Sequence, residues 1–374
     1  MDTNRRRFLG WGMGALGAMG VPGWAWGQQR LRVLESGPSD GTQPLIATQV
    51  SHDFQRWMRA MRVGQSTSHG ALQIFWLHAK EPSPPLDVTT LDEARLAGAL
   101  LITERAQASV PELVVENRGK SFVLLLAGEI LVGGKQNRVL REDILLPPLS
   151  GPRPIGVYCV EQGRWNEGRK DFESKGSVAQ PRLRQELLGQ APQSRIWDTA
   201  AKAAREANPT APPSPTGSYQ AIYDDGEVQK HLKDVEQALN PGKAVSGAAR
   251  AHGAAVFAGG ALSGLDIFDD PGLFAREWLK LLRAHAVEAY RKPVPREPQD
   301  GKLRAQVEAL LAQAAKVEGS LRGNAGTGQL FEFRVEGSRG AALVAEGRVV
   351  HTAILYLSHL SSLSPTGGEG RSSS

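Results

Sequence analysis

The chain has 374 residues, of which 41% are hydrophobic and 22% charged, a formal net charge of +5 and one cysteine. This balance excludes a disulfide-stapled scaffold and a highly charged disordered chain. No Lys/Arg run interleaved with aromatics marks a nucleic-acid surface, and the length supports one large core or two smaller ones.

The first 27 residues read as a leader rather than as part of the fold. Asn4-Arg5-Arg6-Arg7-Phe8-Leu9 fits a twin-arginine export signal, 10–21 is a Gly- and Ala-rich apolar run too short to span a bilayer, and Ala25-Trp26-Gly27 offers small residues for cleavage. The expectation is a periplasmic or secreted protein that uses the twin-arginine machinery and has no stable membrane span. Removing Asp2 and Arg5, Arg6 and Arg7 leaves a mature chain near +3, a mild excess compatible with a small anionic partner. No cysteine follows the apolar run, which argues against a lipoprotein. Cys159 lies within Val157-Tyr158-Cys159-Val160 and reads as a core residue.

Strands are expected at 31–33 and 72–77, with a short helix or inserted loop around 54–58 and an irregular, proline-rich stretch at 81–86. Thr90-Leu91-Asp92-Glu93 is a capping box, opening a helix to about residue 100. Strands follow at 101–104 and 113–117. Residues 122–127 are apolar at every position, which suits a strand buried on both faces. Gly128 then permits a turn into 129–132, and a further strand spans 155–160. After Trp165 the pattern becomes helical at 181–188, 195–207 and 227–239, with a proline-rich loop at 208–217 and a short helix at 219–223. A strand at 254–257 precedes a helix opened by Asp270-Pro271, a second helix covers 302–317, and strands close the pattern at 330–335, 341–345 and 349–357.

Three stretches, beginning at Val123, Ala255 and Ala341, share an apolar run, a glycine turn and a second apolar run. These are hairpin signatures, equally compatible with a diverged internal duplication and with three independent hairpins. The fold class is α+β, a largely antiparallel sheet built from glycine-turn hairpins and covered by helices. The expected organisation is one domain over 28–360 with a helical insertion at about 181–240, then a disordered tail at 361–374.

Polar clusters end the most hydrophobic strands, where a rigid sheet can position a loop. Gly133-Gly134 presents Lys135-Gln136-Asn137-Arg138, and the next long strand ends in Glu161-Gln162-Gly163-Arg164-Trp165. As a binding site, Lys135, Arg138 and Arg164 would hold anionic groups, Gln136 and Asn137 would read polar edges, and Trp165 would stack on a ring. Glu129 or Glu161 would be the general base. Asp266, at the corresponding end of the second hairpin, would face the same pocket. The same residues suit a structural ion-pair network, because a buried carboxylate needs a partner. Asp269 and Asp270 read as capping residues and His351 as a core histidine. The eight histidines show no metal-site spacing, and no nucleophile-elbow, phosphate-loop or dinucleotide motif occurs, so no metal or cofactor is assigned.

The pair KQNR and EQGRW, with Thr90-Leu91-Asp92-Glu93-Ala94, Pro215-Thr216-Gly217, Gly264-Leu265-Asp266-Ile267-Phe268-Asp269 and Gly347-Arg348-Val349-Val350-His351, resembles a bacterial family. It is the first ARG and Rhodanese-Phosphatase-superfamily-associated Protein domain, and the similarity runs from about His69 to Leu357. The family name implies an association with ADP-ribosylglycohydrolases, hence a link to ADP-ribose or related nucleotides, but carries over no catalytic residues. The export signal and the segment at 51–65 depart from the family pattern. Two functions stand side by side. One is an exported protein binding a small nucleotide- or sugar-phosphate-like anion, with hydrolysis left open. The other is a non-catalytic structural or interaction domain. A redox factor using Cys159 is a third, and requires an accessible thiol.

Overall fold

A computed structural model describes residues 42–80, 86–109, 111–165, 171–210, 212–239, 250–296 and 299–356. The leader, the strand expected at 31–33 and the tail lie outside them. The chain divides into a unit of residues 1–43, of which only Thr42 and Gln43 are described, and a unit of residues 44–374.

Helix α1 (Thr42–Ala60) runs into β1 (Met61–His69), which turns at Gly70 into β2 (Leu72–Ala79). Next come β3 (Val88–Thr90), α2 (Leu91–Leu96), β4 (Leu100–Ser109) and β5 (Glu112–Asn117). A run of strands follows: β6 (Phe122–Leu125), β7 (Glu129–Gly133), β8 (Arg138–Leu140), β9 (Ile144–Leu146), β10 (Gly151–Cys159) and β11 (Phe172–Val178). The helical stretch holds α3 (Pro181–Leu188), α4 (Gln193–Ala207), α5 (Ala221–Asp224) and α6 (Gly226–Leu239). Then come β12 (Gly253–Ala258), β13 (Ala261–Phe268), α7 (Pro271–Ala289), α8 (Asp300–Ala314), β14 (Gly319–Gly323), β15 (Gln329–Val335), β16 (Ser338–Ala345) and β17 (Arg348–Tyr356).

The largest sheet has eight strands in the order β1-β2-β12-β13-β17-β16-β15-β14, every neighbour antiparallel. Strand periodicity assigns its two faces. Leu72, Ile74, Trp76, Ala254 and Val256 share one core with helices α3, α4, α6 and α7, whereas Phe75, Leu77, Ala255 and Phe257 share another with α1 and α8. Helix α1 is longer than the sequence suggested, because Phe54 packs against Phe331 and Phe333 at 5.0 and 4.7 Å between ring centroids. A six-stranded sheet, β11-β7-β8-β10-β5-β4, and a three-stranded one, β3-β6-β9, enclose a third core. A bridge from Thr103 to Asp171, just before β11, links the two edges of the six-stranded sheet and curls it towards a barrel. The fold is α+β with largely antiparallel sheets.

The capping box at Thr90 forms, with the Thr90 hydroxyl accepting from the Glu93 amide at 3.2 Å and the Glu93 carboxylate accepting from the Thr90 amide at 2.9 Å. Two of the three expected hairpins form, β12/β13 over Gly259-Gly260 and β16/β17 over Glu346-Gly347, all four turn residues having positive φ. The first does not: β6 pairs with β3 and β9, while β7 pairs with β8 and β11. The cause lies in the connecting residues. The Leu126 amide donates to Glu129 and the Ala127 amide to Asp143, both at 2.8 Å, so side chains occupy the donors a ladder would use. Two of the three similar stretches are therefore hairpins and the first is not.

Candidate ligand-binding site

The polar cluster after β7 begins with a close approach of two strands. At Gly134 (φ +50°) a Cβ would lie 2.1 Å from the Phe172 ring, and at Gly133 (φ +134°) it would lie 2.5 Å from the Asp171 carbonyl oxygen. Only glycine satisfies both the conformation and the contact. The pair lets β11 pass over the loop, and its role here is packing.

Asn137 joins the two clusters. Its Oδ1 accepts from the Gly133 amide at 3.1 Å and from Arg164 Nη2 at 2.9 Å, and its Nδ2 donates to Ser218 Oγ at 3.0 Å. Glu161 Oε2 accepts from the Asn137 amide at 3.0 Å and from Arg164 Nε at 2.7 Å, while Oε1 accepts from Thr216 Oγ1 at 2.8 Å. Arg164 also donates to the carbonyls of Gly134 and Gly133, at 3.0 and 3.1 Å. Burial pushes the Glu161 carboxyl up, but the hydrogen bonds from Arg164, Thr216 and the Asn137 amide outweigh it and hold the pKa below the usual value. The loop carrying Thr216 and Ser218 is fixed through backbone bonds, Gly163 to Thr216 at 2.8 Å and Tyr219 to Val160 at 2.9 Å.

Beside this network lies an open cleft of about 300 Å³, lined by Asn137, Glu161, Arg164, Lys175, Gln220 and Asp224 among others. Lys175 Nζ sits 3.4 Å from Asp224 on a side chain 44% exposed. Gln220 is only 3% exposed; its Nε2 donates to Asp224 at 3.2 Å, and its Oε1 has no hydrogen-bond partner. Ser218 and Asp224 also line a larger apolar groove of about 680 Å³, walled by Trp197, Ala201 and Ala204 of α4, the prolines Pro212 and Pro213, and Ile222.

Of the residues expected in one site, Asn137, Glu161 and Arg164 line the cleft. Gln136 lies behind it, donating to the Glu161 carbonyl at 3.1 Å and accepting from Arg138 at 3.0 Å. Arg138 is 0% exposed, with Glu104 3.9 Å away, so it holds the interior and reaches no ligand. Lys135 lies over the Trp165 ring at 4.8 Å from its centroid, on a side chain half exposed to solvent, and neither lines the cleft. Cys159 is fully buried, which removes the accessible thiol a redox role requires.

Glu129 and Asp266 belong elsewhere. Glu129 pairs with Lys280, which also meets Asp92 at 3.0 Å and Glu277 at 2.7 Å, and not with Lys135, Arg138 or Arg164. Burial, against the pull of Lys280 and with repulsion from Glu277 and Asp92, pushes Glu129 up to about 8. Asp266 is held by both Arg184 guanidinium nitrogens at 2.9 and 2.5 Å, and lies 3.1 Å from Nε2 of His351, whose Nδ1 lies 2.6 Å from Asp143. Burial opposes ionisation of Asp266, but Arg184, His285 and His351 keep its carboxyl well below the usual range. Burial lowers and the two carboxylates raise His351, with a net rise to about 9. His351 is thus a core histidine with both nitrogens engaged. Asp270 caps α7 through the Gly272 amide at 2.7 Å, whereas Asp269 pairs with Arg348 at 3.4 Å.

Lys175, Gln220 and Asp224 were missed from the sequence; the signal available was the polar Ser218-Tyr219-Gln220 run after the proline-rich loop. Among the described residues no group of three or more metal-ligating side chains could hold a metal, and no helix is long and apolar enough to cross a membrane.

These features define an α+β domain with a polar cleft built on a dense hydrogen-bond network, next to an apolar groove that shares Ser218 and Asp224 with it. The chain belongs to the ARG and Rhodanese-Phosphatase-superfamily-associated Protein domain family, whose model matches residues 60–355. Comparison with the curated proteins and with the solved structures gave no match.

Proposed function

We propose that the chain is an exported binding protein for a small nucleotide- or sugar-phosphate-like molecule, with its polar end in the cleft and its ring in the apolar groove. One observation carries this: the two spaces share Ser218 and Asp224, so a molecule with a polar and a flat apolar part can occupy both. Their volumes fall in the ~300–1,000 Å³ range of small-molecule pockets. Lys175 and the remaining guanidinium proton of Arg164 are the donors for an anionic group, and Gln220 Oε1 is an acceptor for a hydroxyl. Hydrolysis forms no part of this proposal. Glu161 is saturated and held low, unlike a base poised near neutral pH, and Glu129 lines neither space. Export rests on the Asn4-to-Leu9 pattern alone.

Thermal unfolding with ADP-ribose, AMP, adenosine and ribose 5-phosphate tests it. AMP and ADP-ribose raise the Tm most, since a ligand stabilises the state it binds. Lys175→Ala and Ala204→Trp, both at exposed positions, abolish the shift while leaving the unliganded Tm close to the parent value. The engagement of Glu161 and of four of the five Arg164 donors within the network favours a second reading, a structural or interaction domain. Under it none of the four ligands moves the Tm, and Arg164→Ala lowers it.

A further inference from the structure

A different observation lies on the eight-stranded sheet. The β15/β16 register sets Arg334 directly opposite Arg339. Opposed residues on antiparallel strands share a face with Cβ atoms ~4.5–5.5 Å apart, and like charges there are destabilising. Each of the two nearby carboxylates is paired through one oxygen with another arginine. Glu332, two positions before Arg334, accepts from Arg322 at 2.7 and 3.0 Å, and Glu186 of α3 accepts from Arg195 at 2.9 Å. Neither Arg334 nor Arg339 has a hydrogen-bonding or ion-pair partner among the described residues, and Arg339 Nε is buried without one. Burial, then repulsion from Arg334, lowers the pKa of Arg339 against the weaker pull of Glu186 and Glu332.

The two side chains border a cleft of about 260 Å³, which Gly189, Gln190, Ser320 and the carboxylate-bearing Glu332, held by Arg322, also line. Gly189 is the end of α3, and a Cβ there would lie 1.9 Å from Arg339 Nη1. The missing side chain lets the guanidinium lie against the backbone. The carbonyls of Gln185, Glu186 and Leu187 at this helix end already accept from Gly189, Ala191 and Gln190, so they do not neutralise the arginines.

We propose that this cleft is a binding site for a small oxyanion of the phosphate class, bridged between Arg334 and Arg339 with Ser320 as a further donor. Two guanidinium forks facing one space suit the several acceptor oxygens of such an anion. The site is separate from the cleft under Arg164 and shares no lining residue with it.

The test is thermal unfolding of the full chain in inorganic phosphate against chloride at matched ionic strength. Phosphate raises the Tm of the parent beyond chloride. Arg334→Ala, at an exposed position, removes that excess while melting no lower than the parent in chloride, because the opposed like charges are gone. Lys175→Ala keeps the excess. Equal effects of phosphate and chloride would overturn the proposal, reducing the salt response to screening of a repelling pair. Persistence of the phosphate excess in Arg334→Ala, with its loss in Lys175→Ala, overturns it as well and places the anion in the other cleft.

Discussion

Asp266 shows how far a buried carboxylate depends on its surroundings. It accepts two bonds from Arg184 and lies beside His351, and both partners are as buried as it is. Asp266→Asn removes the charge that compensates Arg184, and breaking a buried pair at one side costs ~3–5 kcal/mol. Urea unfolding of the variant should show a loss of that size with an unchanged m-value. His351 predicts a pH dependence. Its folded pKa is raised from 6.5 to about 9, so its contribution is complete below about 6.5 and is lost as the pH rises through about 9. Glu129, raised to about 8, acts in the same direction. The Tm should therefore fall between pH 6.5 and 9, and His351→Gln should flatten that slope. The need of Glu129 for a partner was legible in the sequence. Its partner was not. Lys280 lies 151 positions from Glu129, so proximity along the chain pointed to the wrong cations, and Arg184, 82 positions from Asp266, holds that carboxylate away from the pocket it was expected to face.

Elements opened by strong local chemistry were read close to their observed starts, α2 by its capping box and α7 by Asp270-Pro271, and the two hairpins by their glycine turns. Helix α2 nevertheless ends at Leu96 rather than near residue 100, because the chain turns at Gly98 (φ +67°) into β4. Short strands such as β8, β9 and β14 escaped, because three to five residues carry no usable period and exist only through their neighbours. The glycine at 128 looked like the others but faces Arg184, 2.7 Å from where a Cβ would sit, and marks a passage between sheets. Gly134 and Gly70 separate conformational strain from contact. Gly134→Ala meets both a left-handed backbone and the Phe172 ring, for roughly 2–5 kcal/mol in all. Gly70→Ala has φ +58° and nothing within 4 Å, leaving only the backbone term of ~1–2 kcal/mol. Chemical denaturation of the two variants measures the difference. Equal losses would show that β11 is free to move away from the loop.

At the scale of the molecule, the candidate site was legible in part. The clusters KQNR and EQGRW do meet through Asn137, Glu161 and Arg164, because both end strands of one curled sheet. The cleft beside them takes its remaining walls from β7, from Lys175 of β11 and from the helical stretch, whose position against the sheet no local pattern encodes. The eight-stranded sheet has a further consequence. Strand β2 pairs with β1, its predecessor, on one side and with β12 on the other, so its second partner is made only after the curled sheet and the five described helices α2 to α6 between them. During synthesis Phe75 and Trp76, fully buried in the finished protein, must wait for that partner. The chain therefore cannot complete its largest core from the N-terminal end forwards. A ribosome-bound chain halted before β12 should expose these aromatics to chaperones and proteases, and the same chain released at full length should hide them.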